Sequence, residues 1–335
     1  MTTPASDLNR LGPGEARAFA NTLNLVAQQK KSRAIMAVTA DLGYSEKGVS
    51  FTDELLDSFE AEDFDGDIAP SPVKTASQRR REARFRGFSV DRMVGTRERA
   101  EKLADPTNPV MQAMGAALGR RRDVNVIGRP GGIGGIFGDS FEVDGDDDFV
   151  RTAFPAGQII AVTENAYYRG LADGAAAPTA PTTLSRQKFS RARILLDQSF
   201  YGEMDGMPYV LLEQRDIEAF ATSEETINRD YQIANDDVKR FRAEIGKDAM
   251  SMYDGMMFCK VANGSLPLVP GQAAQWYVPC YYKSAILYKE RPLVQTRVEP
   301  RQEFRYRWWA YYEAQHATLR REDVAVTWIT VTRPA

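Results

Sequence analysis

Histidine is nearly missing from this chain: His316 is the only one among 335 residues. The commonest general base is thereby reduced to one copy, and no nucleophile motif surrounds it. Cysteine is almost as scarce. Cys259 and Cys280 build no disulfide framework and match no zinc spacing, so a Cys/His zinc site is excluded. Their scarcity fits synthesis in a reducing cytoplasm. No apolar run approaches the ~20 residues of a membrane-crossing helix, and no membrane partner is expected. Asp7 and Arg10 fall where a signal peptide needs unbroken apolar character. A basic excess is lacking too. Lys and Arg total 43 against 46 Asp and Glu, a net charge of -3, which argues against a free-standing nucleic-acid binder. No internal repeat is visible.

What remains is a folded composition. A 43% hydrophobic and 27% charged chain of this length can bury a substantial core in one or two domains. Residues 15–40 read as a helix with Phe19, Leu23 and Val26 on one face, then an extended segment. From Leu42 to Asp91 the periodicity dissolves. Acidic residues crowd Asp53 to Asp67 without a basic one, Pro70 and Pro72 interrupt, and Arg79, Arg80, Arg81, Arg84 and Arg86 reverse the sign. That pattern suits an extended excursion.

Asn108 and Pro109 mark a helix start, and Val110, Met111, Met114, Ala117 and Leu118 give it an apolar stripe. Arg120, Arg121 and Arg122 suit its C-terminal end, and Val124, Val126 and Ile127 predict a short buried strand. Further strands are expected at Phe154–Thr163, Tyr209–Leu212, Met256–Val261 and Trp276–Ile286. Ser185 should cap a helix carrying Phe189, Ala192 and Leu196; Asp216 should cap another, with Ile217, Phe220 and Ala221. The pattern is mixed α+β.

Four features invite chemistry. Gly128-Arg129-Pro130-Gly131-Gly132-Ile133-Gly134-Gly135, within the glycine-rich run Gly128–Gly138, would follow the predicted strand as a phosphate loop does. It lacks the Lys-Ser/Thr ending and leads into acids, so the reading of a nucleotide-binding enzyme is disfavoured. Asp144, Asp146, Asp147 and Asp148, in the Asp139–Asp148 loop, lack EF-hand spacing, and no metal is assigned. Glu224 and Glu225 are adjacent and would point apart on a helix. The arginines of 79–86 are interleaved only with Phe85 and Phe88, which favours a subunit-pairing face over a nucleic-acid contact. No catalytic residue, cofactor or metal ligand is predicted.

The C-terminal stretch from Lys289 to Val331 is more informative. Val298, Phe304, Tyr306 and Trp308 are interleaved with Arg301, Arg305 and Arg307, which predicts strands with an aromatic and an arginine face. A break is expected at Glu313–Arg321, after which Val324, Val326 and Trp328 resume the pattern. Ile329 and Val331 then shift its phase. The aromatic face is expected inside the subunit, and the arginine face toward carboxylates of neighbouring copies.

The order of elements resembles the major capsid proteins of tailed bacteriophages, with the Hong Kong 97-type coat fold. The resemblance rests on Asn21-Thr22-Leu23-Asn24-Leu25-Val26-Ala27-Gln28-Gln29-Lys30-Lys31-Ser32 and the arginines before Phe88-Ser89-Val90-Asp91. It continues in Leu103-Ala104-Asp105-Pro106 ahead of the helix Met114-Gly115-Ala116-Ala117-Leu118-Gly119-Arg120-Arg121-Arg122-Asp123. Leu184, the helix Arg191–Leu196 and Tyr209-Val210-Leu211-Leu212 follow, and Arg320-Arg321-Glu322-Asp323-Val324-Ala325-Val326 precedes the last strand.

The resemblance implies an N-terminal arm over 1–40 and an extended loop over 41–92 that lies across a neighbour. It implies a peripheral domain of 93–122 and 288–318 with a long spine helix, and an axial domain of 123–287 and 319–335. It implies a non-enzymatic coat protein that assembles as pentamers and hexamers into the icosahedral head enclosing double-stranded DNA. Portal, scaffolding and decoration proteins would be its partners, the scaffold a separate protein, and the host bacterial cytoplasm its place of assembly. An encapsulin-type nanocompartment shell is the alternative, and a tail or connector protein a further one. Asp53, Glu54, Asp63, Asp65, Arg79, Arg80, Arg81, Arg84 and Arg86 are the expected intersubunit contacts.

Overall fold

The computed structural model describes residues 31–56, 78–94, 107–143, 149–163, 181–221, 240–245, 249–304 and 307–333. Its frame is a long hairpin. β12 (Ile286–Arg301) and β13 (Arg307–Arg320) pair antiparallel from Ile286↔Arg320 to Arg301↔Arg307. β1 (Thr39–Asp41) and β4 (Arg86–Val94) flank them in the order β1-β12-β13-β4. Register irregularities lie between Pro292, Val294 and Arg297. Pro292 and Pro300 sit beyond the stretch paired with β1, where β12 is an edge strand and a missing N–H is tolerated.

Two expectations for this region change. The arginine-aromatic run is not one strand, because the turn Gln302–Phe304 reverses the chain within it; residues 305 and 306 lie outside the described set. Nor is there a break at Glu313, since β13 continues to Arg320. Alternation fades there because both faces are covered. Ala317 and Leu319 pack with Phe51, Ala83 and Leu287, while Thr318 Oγ1 donates to Asn125 O at 3.2 Å.

α1 (Thr107–Ile127) is one helix of 21 residues, about 31 Å long at 1.5 Å per residue. The expected strand at 124–127 is its last turn, and Arg120–Arg122 lie inside it, not at its end. Val126 and Ile127 are fully buried, and a short apolar run reads the same for a strand or a buried helix end. The glycine-rich loop then closes the helix. Ile136 N donates to Val126 O at 2.9 Å and Phe137 N to Ile127 O at 3.0 Å, satisfying terminal carbonyls.

The larger core surrounds a six-stranded sheet, ordered β7-β14-β11-β8-β10-β9. Its strands are β7 (Ile159–Ile160), β8 (Tyr209–Leu212), β9 (Met250–Tyr253), β10 (Met256–Lys260), β11 (Gln275–Tyr281) and β14 (Val326–Thr332). Helix α2 (Arg186–Leu196) starts at Ser185, whose side chain accepts from Lys188 N at 3.4 Å, as expected, and it buries Phe189, Ala192 and Leu196. The short helix α3 (Tyr201–Asp205) follows. Helix α4 (Gln214–Ala221) begins before Asp216, which accepts from Glu213 N at 3.1 Å from within the first turn. Phe154–Thr163 holds only a 3-10 turn, Ala156–Gln158, and the two residues of β7.

A third sheet, β2-β3-β5-β6, joins β2 (Ser50–Leu56) and β3 (Gln78–Arg84) to β5 (Ser140–Val143) and β6 (Phe149–Thr152). The expected junctions at 122/123, 287/288 and 318/319 fall inside α1, β12 and β13, so continuous elements cross them.

Candidate intersubunit surface and its anchors

The β2–β3 ribbon carries most of the predicted contact residues. Alternation splits them between two faces. Arg79, Arg80, Arg84, Arg86 and Glu54 are exposed, whereas Arg81 is buried. Glu54 faces Arg80 across the ribbon, with Arg80 Nε donating at 2.9 Å. Arg84 lies 5.1 Å from the Phe141 ring centroid.

Arg81 and Asp53 are engaged within the subunit. Arg81 Nη2 donates to Glu142 Oε1 at 2.9 Å and to Asp323 Oδ2 at 3.0 Å, and its Nη1 donates to Arg320 O at 3.0 Å. Asp53 accepts from Arg321 Nε at 2.8 Å and Nη2 at 3.2 Å. Asp63 and Asp65 lie outside the described residues, as do residues 1–30, Asp144–Asp148, Glu224 and Glu225.

Three buried charged nodes hold this ribbon's base, α1 and the long hairpin together. In the first, Arg320 is 1% exposed; it pairs with Asp323 and donates to Ile136 O at 3.2 Å and Gly138 O at 2.7 Å. Its guanidinium lies 4.8 Å from the Phe154 ring, which stacks on Trp328 at 3.8 Å. Burial would raise the Asp323 carboxyl, but Arg320 and Arg81 more than offset it and hold it below the usual range.

In the second node, Glu290 is fully buried on β12 and accepts from Arg122 Nε, Tyr288 OH and Tyr312 OH, each at 2.8 Å. Burial opposes its ionisation, yet these donors keep it ionised below the ordinary glutamate range. The third ties residues 32–34 to α1. Asp123 Oδ1 accepts from Ser32 Oγ at 2.5 Å, Arg33 N at 2.8 Å and Ala34 N at 2.9 Å.

The glycine loop follows a helix, not a strand. A helix C-terminus presents carbonyls, so the phosphate-loop reading loses its structural premise. Its glycines serve packing. A Cβ on Gly138 would meet Gly134 O at 2.0 Å, and one on Gly135 would meet Gly128 Cα at 2.6 Å. Catalytic groups are similarly unpromising. His316 is buried against Phe88 and Tyr288, and burial together with Arg121 pushes it down to about 4, so it is neutral near pH 7. Burial pushes the Cys259 thiol up to about 12 and Cys280 higher still. Among the described residues no group of His, Cys, Asp and Glu could hold a metal, and no helix is long and apolar enough to cross a membrane.

Sequence reasoning missed the structural charges at Glu290, Arg320 and Asp123, because a single charge in a strand or helix gives no local sign of burial. It also missed that Arg121 and Arg129 come beside Arg84 and Arg86 around one cleft.

Comparisons with known proteins agree with this architecture. No curated protein sequence matches the chain. The solved capsid of Ralstonia phage GP4 superposes with a TM-score of 0.62 at 10% identity, covering 95% of both chains. The cyanophage Pam1 capsid gives 0.60 at 11%, covering 94% of this chain and 95% of the other. Mycobacterium phage Bobi gives 0.58 at 13% with the same coverage. The fold is thus the α+β Hong Kong 97-type coat fold. A family profile described as phage capsid protein matches residues 13–332. The chain belongs to the phage capsid protein family, and it is a major capsid protein that self-assembles into the shell of the virion.

Proposed function

We propose that the chain acts through assembly alone, without catalysis. Its α1 and long hairpin serve as a stiff peripheral frame and its six-stranded sheet as the axial body. The β2–β3 ribbon is the arm that engages a neighbour. Support comes chiefly from that ribbon, whose buried face is fixed by Arg81 and Asp53 while its other face presents exposed arginines. Many modest contacts of this kind close a shell through multivalency.

In this reading residues 1–40 form an arm, and pentamers and hexamers make the shell. Portal, scaffolding and decoration proteins are its partners. Packaged double-stranded DNA meets the inner face without sequence-specific contacts, and assembly takes place in the host bacterial cytoplasm. Negative-stain microscopy of the purified chain tests the reading directly: uniform closed particles support it, and persistent small monomers under many conditions count heavily against it. Arg79→Glu with Arg80→Glu should impair particle formation while circular dichroism stays that of the folded chain. Arg81 is left out of this test because its reversal would put a carboxylate beside Glu142 and Asp323.

A further inference from the structure

A cleft of about 440 Å³ lies between the root of the β2–β3 ribbon, the last turns of α1, the glycine loop and β13. Arg84 and Arg86 line it from the ribbon side, Arg121 from the helix and Arg129 from the loop. All four are exposed. Among the described residues, the one carboxylate paired with any of them is Glu82, 3.9 Å from Arg84. The other lining carboxylate, Asp139, is held by Arg151 at 2.6 Å. The cleft is therefore cationic on balance. Four lining residues carry a buried polar atom with no hydrogen-bond partner: Glu82 Oε2, Asn125 Nδ2, His316 Nδ1 and Arg320 Nη2. Arg320 is 1% exposed and Glu82 7%. Buried polar atoms without partners are costly, so four on the wall of one cleft call for a ligand that both accepts and donates.

We propose that this cleft binds a free hydrogenphosphate ion. Guanidinium groups match phosphate oxygens in pairs, and here they approach from the ribbon, the helix and the loop. The unpartnered wall atoms specify the ion further. Arg320 Nη2 and Asn125 Nδ2 only donate, and phosphate oxygens accept from them. A carboxylate oxygen such as Glu82 Oε2 only accepts, and the P–OH of hydrogenphosphate supplies its proton. His316 Nδ1 completes the set as donor or acceptor, according to its tautomer. Sulfate and phosphodiesters carry no such proton near neutral pH. A nucleotide's terminal phosphate, with a second ionisation near pH ~6, seldom does. Each of these would set a bare oxygen against Glu82, a repulsive contact. The site is also no phosphate loop, because side-chain guanidinium groups supply the charge. The carbonyls of Val124, Val126 and Ile127 at the end of α1 are already taken by Gly128 N, Ile136 N and Phe137 N.

Isothermal titration of the full-length chain with sodium phosphate tests this near neutral pH, against sodium sulfate and ATP at matched ionic strength. Phosphate should bind saturably, one ion per chain, and at least about tenfold more tightly than sulfate or ATP, because only it satisfies Glu82. Arg121→Gln with Arg129→Gln removes two exposed guanidinium groups. It should weaken phosphate about tenfold while the melting temperature without phosphate stays that of the wild type. Glu82→Gln presents a donor as well as an acceptor, so sulfate should then bind as well as phosphate. Equal binding of phosphate and sulfate by the wild type, or no saturable binding, overturns the proposal. Undiminished phosphate binding by the arginine variant overturns it as well, since the ion would then sit elsewhere. Circular dichroism checks that Glu82→Gln folds, and undiminished phosphate selectivity in the folded variant overturns the assignment of hydrogenphosphate. The arginine variant changes exposed positions alone, so it decides the cleft whether or not Glu82→Gln folds.

Discussion

Removing the carboxylate of Glu290 should be among the most damaging single changes in the peripheral frame. Glu290→Ala deletes the shared acceptor of Arg122, Tyr288 and Tyr312, three donors at 2.8 Å contributed by α1, β12 and β13. It leaves a half-buried guanidinium and the hydroxyl of fully buried Tyr288 without that partner. Breaking one side of a buried ion pair costs about 3–5 kcal/mol, since the remaining charge has lost its compensation. With a urea m-value of about 3 kcal/mol/M, the unfolding midpoint should fall by roughly 1–1.7 M. Glu290→Gln keeps an acceptor and the shape but not the charge, and should lose about 1–2 kcal/mol. The double change Arg122→Leu with Glu290→Leu should recover much of the loss, because no uncompensated charge remains. Urea unfolding of the dissociated chain, followed by tryptophan fluorescence, measures all three. A cost below about 1 kcal/mol for Glu290→Ala, or strict additivity of the two leucine changes, would refute the reasoning.

Acid sensitivity should begin with His316. Its folded value, near 4, lies below its ordinary value of 6.5, so the unfolded chain takes up the proton first. Stability is therefore complete above about pH 6.5 and declines as pH falls toward 4, by on the order of 3 kcal/mol. His316→Gln should flatten this window in pH-dependent unfolding; an unchanged slope argues against the assignment. Glu290 and Asp323, both held below their ordinary values, add a steeper loss as pH falls through and below the normal carboxylate range. Gly138→Ala should cost several kcal/mol, because its Cβ would overlap Gly134 O at 2.0 Å. Gly131→Ala should cost only about 1 kcal/mol, for a φ of +69 in otherwise open space; similar losses at both would refute the packing account. Thermal melting with added nucleotide should show no shift, and one abolished by Gly131→Ala would revive the phosphate-loop reading.

The sequence by itself determined the local elements whose signals are local. The Ser185 cap with Phe189, Ala192 and Leu196, the strand at Tyr209–Leu212 and the mixed α+β character were legible because capping and periodicity act over a few residues. The family was legible through the order of such pieces. Tertiary structure alone decided the rest. It turned Val124–Ile127 into the end of a helix because a returning loop satisfies the carbonyls there, and it folded the arginine-aromatic run around a hairpin. It also buried Arg81 while leaving exposed both Arg80 on the opposite face and Arg79 on the same face nearer the ribbon's far end, and brought Arg121 and Arg129 beside Arg84 and Arg86. Burial and pairing depend on partners far away in sequence, such as Asp323 for Arg81 and Glu290 for Arg122, so no short window of the chain contains them.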